Sequence, residues 1–146
     1  MAAMIRVLIA DDQPRARRSL KALLTAICWS TLDHAGEPTP VGRLPVEVVG
    51  EAENGQKAIE QIEALHPDVV VMDLRPHTAP AIETWLDGVA TIQTIKRRWP
   101  AIRVVVLTMY ATTRASMLLA GADAFLLKGC STKELLDAVM PSEEKR

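Results

Sequence analysis

Residues 69–73 read VVVMD, a run of four apolar residues that ends on an acid. A continuous apolar run of this length is typical of a strand buried on both faces of a parallel sheet. Four further short apolar runs lie elsewhere in the chain: residues 5–10 (IRVLIA), 46–52 (VEVVGEA), 104–107 (VVVL) and 124–127 (AFLL). The sequence therefore predicts five strands.

Helical patterns follow each of these runs. We predict helices over residues 14–27, 54–65, 88–99, 112–120 and 131–139. Pro14 opens the first, Asn54 is a good N-cap for the second, and Ser131 with Glu134 forms a capping box for the last. Strands that alternate with helices make a doubly wound α/β sandwich, (βα)5, with one parallel sheet between two helical layers. Five strands suit the order 2-1-3-4-5.

Length and composition limit the classes of protein that fit. The chain has 146 residues, so we expect one domain over residues 1–140, with 141–146 as a tail or the start of a linker. Its 17 Lys and Arg balance 18 Asp and Glu, and this balance does not indicate a nucleic-acid or membrane surface. The apolar runs are far shorter than the roughly 18 residues that cross a bilayer. The two cysteines have neither metal-ligand spacing nor a disulfide framework, so we expect a cytoplasmic protein.

Two predicted connections are longer than the roughly two to six residues usual between strands and helices. Residues 28–45 contain three prolines, and residues 74–87 follow the third strand. We interpret the first as a surface insertion. The second lies beside the predicted carboxyl edge of the sheet, so it is either another surface insertion or a segment that affects a site there.

Polar residues follow four of the five predicted strands. They are Asp11 and Asp12 after the first, Asp73 after the third, Thr108 after the fourth and Lys128 after the fifth. Ligands of open α/β sheets bind at the carboxyl ends of the strands, and the first and third strands are neighbours in the predicted order. We therefore expect the three carboxylates to converge, with protonation or a bound Mg²⁺ relieving their repulsion. One carboxylate could then attack a phosphoryl group, with Lys128 and Thr108 donating to its oxygens.

Other features are less specific. Neither GxGxxG nor GxxxxGK occurs, which excludes the common dinucleotide and P-loop sites. Two basic clusters, residues 15–18 and 96–98, lie on predicted helix faces. We interpret both as solvated, with docking of a partner protein as the alternative for the first.

In five stretches the sequence resembles the receiver domain of two-component response regulators. They are residues 7–20 (VLIADDQPRARRSL), 52–59 (AENGQKAI), 67–74 (PDVVVMDL), 104–110 (VVVLTMY) and 120–129 (AGADAFLLKG). The wording of the last two is most similar to receivers of the NarL/LuxR type, which are attached to helix-turn-helix DNA-binding domains. The resemblance implies a flavodoxin-like fold and a phosphoacceptor signalling domain.

The resemblance also implies a role for each residue at the predicted site. Asp73 is similar to the phosphoacceptor, Asp12 to the acid that binds Mg²⁺ directly and Asp11 to the acid that acts through water. The backbone carbonyl of Arg75 matches a third metal ligand. Lys128 matches the lysine that pairs with the phosphoryl group.

Two further residues match the switch of the family. Thr108 is similar to the hydroxyl that moves toward the phosphoryl group, and Phe125 to the aromatic that swings inward. The implied phosphoryl donor is a histidine kinase or a histidine phosphotransfer protein, and a phosphorylation-dependent homodimer is a further expectation. We expect no enzyme in the usual sense, because such a domain assists only its own phosphoryl transfer and dephosphorylation. Either the chain is a stand-alone receiver, or transcription is regulated through a separate C-terminal DNA-binding domain; in both cases we expect this segment itself to bind neither DNA nor a membrane.

The sequence departs from the family's pattern at several places. The usual Met-Pro turn after the acceptor is present only as Arg75-Pro76, and its Asp-Gly pair is displaced to residues 87–88. Thr108 and Lys128 are 20 positions apart, which leaves little room for a full fourth helix. The alternative reading is therefore a degenerate receiver, a phosphorylation-independent interaction module in which residues 74–87 cover or block the site.

Overall fold

A computed structural model describes residues 4–29, 46–74 and 88–140 of the chain. Its five strands are β1 (Ile5–Asp11), β2 (Val46–Ala52), β3 (Val69–Asp73), β4 (Arg103–Thr108) and β5 (Ala124–Leu127). Its helices are α1 (Pro14–Trp29), α2 (Gly55–Leu65), α3 (Gly88–Arg98), α4 (Arg114–Ala120) and α5 (Thr132–Val139), with a 3₁₀ turn (Ala111–Thr113) before α4. All five strands pair in parallel in the order β2-β1-β3-β4-β5, which confirms the predicted flavodoxin-like sandwich.

The strand residues alternate between two apolar cores, one on each face of the sheet. On one face, Leu8, Val70 and Val104 pack with residues of α2, α3 and α4. On the other face, the intervening Val7, Val71 and Val105 pack with residues of α1 and α5, including Leu24 and Leu135. The period of two in a strand therefore decides which helical layer each side chain meets.

Side-chain caps start two of the helices, as the sequence predicts. Asn54 Oδ1 accepts a hydrogen bond from the Lys57 amide at 2.8 Å, and Ser131 Oγ accepts from the Glu134 amide at 3.1 Å. Caps of this kind are typically worth about 1 kcal/mol each. The fourth helix is short, as the spacing indicates. Thr112 and Thr113, the first two residues of the predicted helix, belong to the 3₁₀ turn instead.

Both predicted insertions lie largely outside the described residues. The first predicted helix is longer than expected, because α1 continues through Cys28 to Trp29. At the second, Leu74 is buried in the core rather than part of a surface segment. A Cβ atom on Gly88 would lie only 2.6 Å from the Leu74 carbonyl oxygen, so the chain leaves the core and returns to it at nearly the same point. Within the described ranges, every helix is too short or too polar to cross a bilayer.

Candidate functional site

The alternation of strand side chains brings three of the predicted site residues to one face of the sheet. Asp11 and Asp73 are register partners at the ends of β1 and β3, and both continue the α1/α5 side of their strands. Lys128 lies two residues after Leu126, and Leu126 packs against the same core. Because all three residues lie on the same side of the sheet, two acids and one cation share a crevice between the carboxyl edge of the sheet and α1.

Lys128 bridges the two carboxylates. Its Nζ lies 2.6 Å from Asp73 Oδ2 and 3.1 Å from Asp11 Oδ2. The backbone amide of Lys128 donates to the Thr108 carbonyl at 2.7 Å, which fixes the start of the side chain against β4. The Asp11 and Asp73 side chains are only 6% and 14% exposed, so water screens these contacts weakly.

Burial and pairing act in opposite directions on the charges of this cluster. Burial raises the pKa of Asp11 above its usual range, and the hydrogen bonds from the Gln13 amide and Lys128 oppose that shift only in part. For Lys128, burial alone would lower the pKa, but the contacts with Asp73 and Asp11 outweigh it and the pKa is raised. The ammonium therefore stays charged while the site carries one carboxylate more than it has cations.

Two contacts hold Asp11 in place, one from the residue before α1 and one from the first turn of α1. The Gln13 amide donates to Asp11 Oδ1 at 2.8 Å, and Arg17 Nη1 donates to the backbone carbonyl of Asp11 at 2.7 Å. Arg17 also pairs with Glu51 at 3.3 Å, and its side chain is 18% exposed. The interpretation of residues 15–18 as a uniformly solvated cluster is therefore wrong for Arg17.

Two further predicted site residues, Asp12 and Thr108, differ in exposure. Asp12, the residue after Asp11, is exposed. Lys128 contacts two of the three carboxylates predicted to converge, Asp11 and Asp73, and no group of three His, Cys, Asp or Glu side chains within the described ranges is arranged to hold a metal. Thr108 is buried, and its hydroxyl accepts a hydrogen bond from the Tyr110 amide at 3.2 Å.

Phe125 lies on the opposite face of the sheet from Lys128. Its ring is half-buried against the α2–α4 core, and the guanidinium carbon of Arg114 lies 5.8 Å from the ring centroid. A groove of about 520 Å³ beside it is lined by residues of α4, β5 and α5, among them Glu134. Arg75, predicted to offer a carbonyl to the metal, lies outside the described residues.

The donor chemistry of the crevice fits a small hard cation. Mg²⁺ is held in many proteins by one or two carboxylates with water in the remaining positions. Asp11 and Asp73 supply two such carboxylates within reach of a single point, since one ammonium contacts both. The exposed carboxylate of Asp12 is adjacent in the chain.

Known proteins resemble the chain in sequence and in fold. The family model of the response regulator receiver domain matches residues 43–140. The transcriptional regulatory protein LnrK of Bacillus subtilis (strain 168) is 31% identical over 139 residues, which are 94% of this chain and 53% of LnrK. The chain thus spans about half the length of that relative.

Solved structures give the same result. RcsB from Salmonella enterica serovar Typhimurium, bound to promoter rprA in the presence of the phosphomimetic BeF₃⁻, matches with a TM-score of 0.69 and 27% identity, over 94% of this chain and 59% of that one. The signal receiver domain of NarL from Mycobacterium tuberculosis matches with a TM-score of 0.66 and 26% identity, over 93% of this chain and 96% of that one. The chain therefore belongs to the response regulator receiver domains of two-component systems, and it is of the NarL/LuxR type.

Proposed function

We propose that this domain receives a phosphoryl group on Asp73 and passes the signal on by a change of surface. One observation carries the proposal. Lys128 Nζ lies 2.6 Å from Asp73 Oδ2 in a crevice at the carboxyl edge of the sheet, where a second carboxylate, Asp11, leaves a surplus of negative charge. A cation fixed beside a nucleophilic carboxylate is what transfer of an anionic group requires.

The phosphoryl donor is a phosphohistidine of a histidine kinase or of a histidine phosphotransfer protein. A carboxylate oxygen of Asp73 forms a bond to phosphorus while the bond from phosphorus to the imidazole nitrogen breaks. The imidazole nitrogen leaves with that electron pair and takes up a proton from solvent, which gives the neutral histidine side chain. Lys128 moves its contact from the Asp73 carboxylate to the phosphoryl oxygens, so the domain assists its own phosphorylation without being a separate enzyme.

Mg²⁺ belongs to the same proposal. Asp11, Asp12 and Asp73, together with the Arg75 carbonyl, would hold it. The ion supplies charge neutralisation on the phosphoryl oxygens when bound.

Thr108 and Phe125 form the switch in this proposal. The Thr108 hydroxyl exchanges its bond from the Tyr110 amide for one to a phosphoryl oxygen, and Phe125 turns into the space that Thr108 leaves. The Phe125 ring and Arg114 both line the groove between α4 and α5, so movement of the ring changes that surface. Two packings that differ by a few kcal/mol suffice for such a switch.

We propose transcription regulation in the cytoplasm as the output. LnrK is named a transcriptional regulatory protein and is about twice as long as this chain, and RcsB is seen bound to a promoter. A DNA-binding domain in the full protein would then read the state of Asp73, with a phosphorylation-dependent homodimer as one form of that reading.

Acetyl phosphate labelling tests the proposal. The unmodified protein should take up phosphate in a Mg²⁺-dependent reaction, and Asp73→Asn should lose the label because an amide cannot form the acyl phosphate. Equal labelling of both proteins would overturn the assignment of Asp73. If neither is labelled and beryllofluoride does not bind, the chain acts instead as a phosphorylation-independent interaction module.

A further inference from the structure

Arg17 on α1 contacts both the acidic turn after β1 and the end of β2. Its Nη1 donates to the backbone carbonyl of Asp11 at 2.7 Å, and its Nε lies 3.3 Å from Glu51 Oε1. The planar guanidinium can serve both acceptors at once, because its donors point in fixed and different directions. The side chain is 18% exposed, so this is a packed contact rather than a solvated one.

The acceptor on Asp11 has a specific geometric consequence. Its carbonyl belongs to the peptide unit that joins Asp11 to Asp12, and that unit is planar. A bond to the carbonyl therefore fixes the plane from which both carboxylates project. The Gln13 amide, which donates to Asp11 Oδ1 at 2.8 Å, fixes the next peptide of the same turn.

Glu51 gives Arg17 its anchor. Its other carboxylate oxygen, Oε2, lies 3.7 Å from Lys21 Nζ, so the carboxylate lies between two cations of α1. Because Glu51 balances its charge, Arg17 directs a donor to the acidic turn without a direct ion pair to Asp11 or Asp73. The carboxylates keep their negative charge for a ligand.

We propose that Arg17 is a positioning residue of the phosphoacceptor site, with Glu51 as its support. Arg17 holds the peptide between Asp11 and Asp12 so that the two acids can serve one Mg²⁺ ion. This inference rests on the proposed function above. It concerns a helix residue that neither reaches the phosphoryl group nor binds the metal.

The first test measures the Mg²⁺ concentration that gives half-maximal acetyl phosphate labelling. Arg17→Ala should raise it by about 10–100-fold, the range for loss of a residue that orients metal ligands, while labelling at saturating Mg²⁺ stays close to that of the unmodified protein. Arg17→Lys should recover part of this loss, and Glu51→Gln should give a smaller rise. Lys21→Ala is the matched control, because it removes the other cation on Glu51 and should change the value less than about twofold.

The second test needs no metal. Hydrogen exchange of the Gln13 amide should be faster in Arg17→Ala, while the amide of Leu135 at the start of α5 keeps its rate. If the unmodified protein takes no label, the proposed function fails and the Gln13 exchange alone decides the role of Arg17. If Arg17→Ala does not fold, Arg17→Lys and Glu51→Gln carry both tests. If the proteins are labelled and Arg17→Ala leaves the Mg²⁺ requirement unchanged, the inference is overturned. If none is labelled, unchanged exchange of the Gln13 amide overturns it.

Discussion

Two lysine–aspartate clusters lie at opposite edges of the sheet, and they are built differently. In the amino-edge cluster, Lys96 Nζ donates to Asp123 Oδ2 at 2.9 Å and to the carbonyls of Ile102 and Pro100 at 2.8 and 3.2 Å. Asp123 Oδ2 also accepts from the Val104 amide at 2.8 Å. In the carboxyl-edge cluster, Lys128 contacts Asp11 and Asp73.

The difference between the clusters is one of charge and saturation. At the amino edge, one cation and one carboxylate sum to zero, and all three ammonium protons of Lys96 have acceptors. At the carboxyl edge, one cation and two carboxylates sum to −1. The first cluster ties the starts of β4 and β5 to α3, whereas the second retains negative charge that an incoming cation can neutralise. Under the proposed function, the same residue pair is structural where its charge is balanced and functional where it is not.

Replacing the lysine of the carboxyl-edge cluster should give the largest effect. Lys128→Met removes the cation that would pair with the phosphoryl oxygens, and we expect the rate of acetyl phosphate labelling to fall by roughly 100–1000-fold. The matched variant is Lys96→Met at the amino edge, which should label at a rate within about twofold of the unmodified protein at a temperature where it remains folded. Equal loss of labelling in the two variants would show that the comparison between the clusters is mistaken.

The amino-edge lysine should matter for stability instead. Lys96→Met leaves the Asp123 carboxylate without its cation and removes a donor from two carbonyls, so we expect the free energy of unfolding to fall by about 1–3 kcal/mol. Urea unfolding at neutral pH measures this loss. Lys133→Met is the control, because the Lys133 side chain is 81% exposed and its pair with Asp137 at 3.3 Å is a surface contact. A surface pair of this kind contributes about 0–1 kcal/mol, so similar losses in both variants would contradict the structural role of Lys96.

The fold could be predicted from the sequence because its signals are local. Every predicted strand lies within one residue of the observed one at each end, since apolar runs and the polar residues that end them are visible along the chain. The strand order was predicted because five strands alternating with helices suit the order 2-1-3-4-5. The 3₁₀ turn before α4 could not be foreseen, because residues 111–120 show only a weak helical pattern.

The site could be predicted only in part. Asp11, Asp73 and Lys128 were found because each follows a strand, and their position in the fold then brings them together. Asp12 is exposed, so its part in the site stays a prediction. Arg17 and Lys96 were interpreted as solvated, since the acceptors that bury them lie on other elements, 34 and 27 residues away at Glu51 and Asp123. Contacts of that kind depend on how elements pack.

The smallest effect concerns the carboxylates themselves. Burial raises the pKa of Asp11 above its ordinary 3.8, so the unfolded chain releases this proton at lower pH than the folded protein does. Stability therefore falls as the pH rises from about 3.8 through the raised pKa. At neutral pH the ionised Asp11 side chain is less favourable in the folded protein than in the unfolded chain. Asp11→Asn removes that penalty, and we expect a gain of roughly 0.5–1 kcal/mol at pH 7.5, as is common where a functional site is relaxed.

The gain should shrink as the pH is lowered toward 3.8, because the unmodified side chain is then neutral as well. Urea unfolding at a series of pH values measures it. Asp123→Asn at the amino edge is the matched comparison, and it should lose stability at pH 7.5, since its carboxylate accepts from both Lys96 and the Val104 amide. If both substitutions lower the free energy of unfolding, Asp11 is a structural acid like Asp123. A gain at Asp11 with a loss at Asp123 is the result expected when one acid is kept for a ligand and the other for the fold.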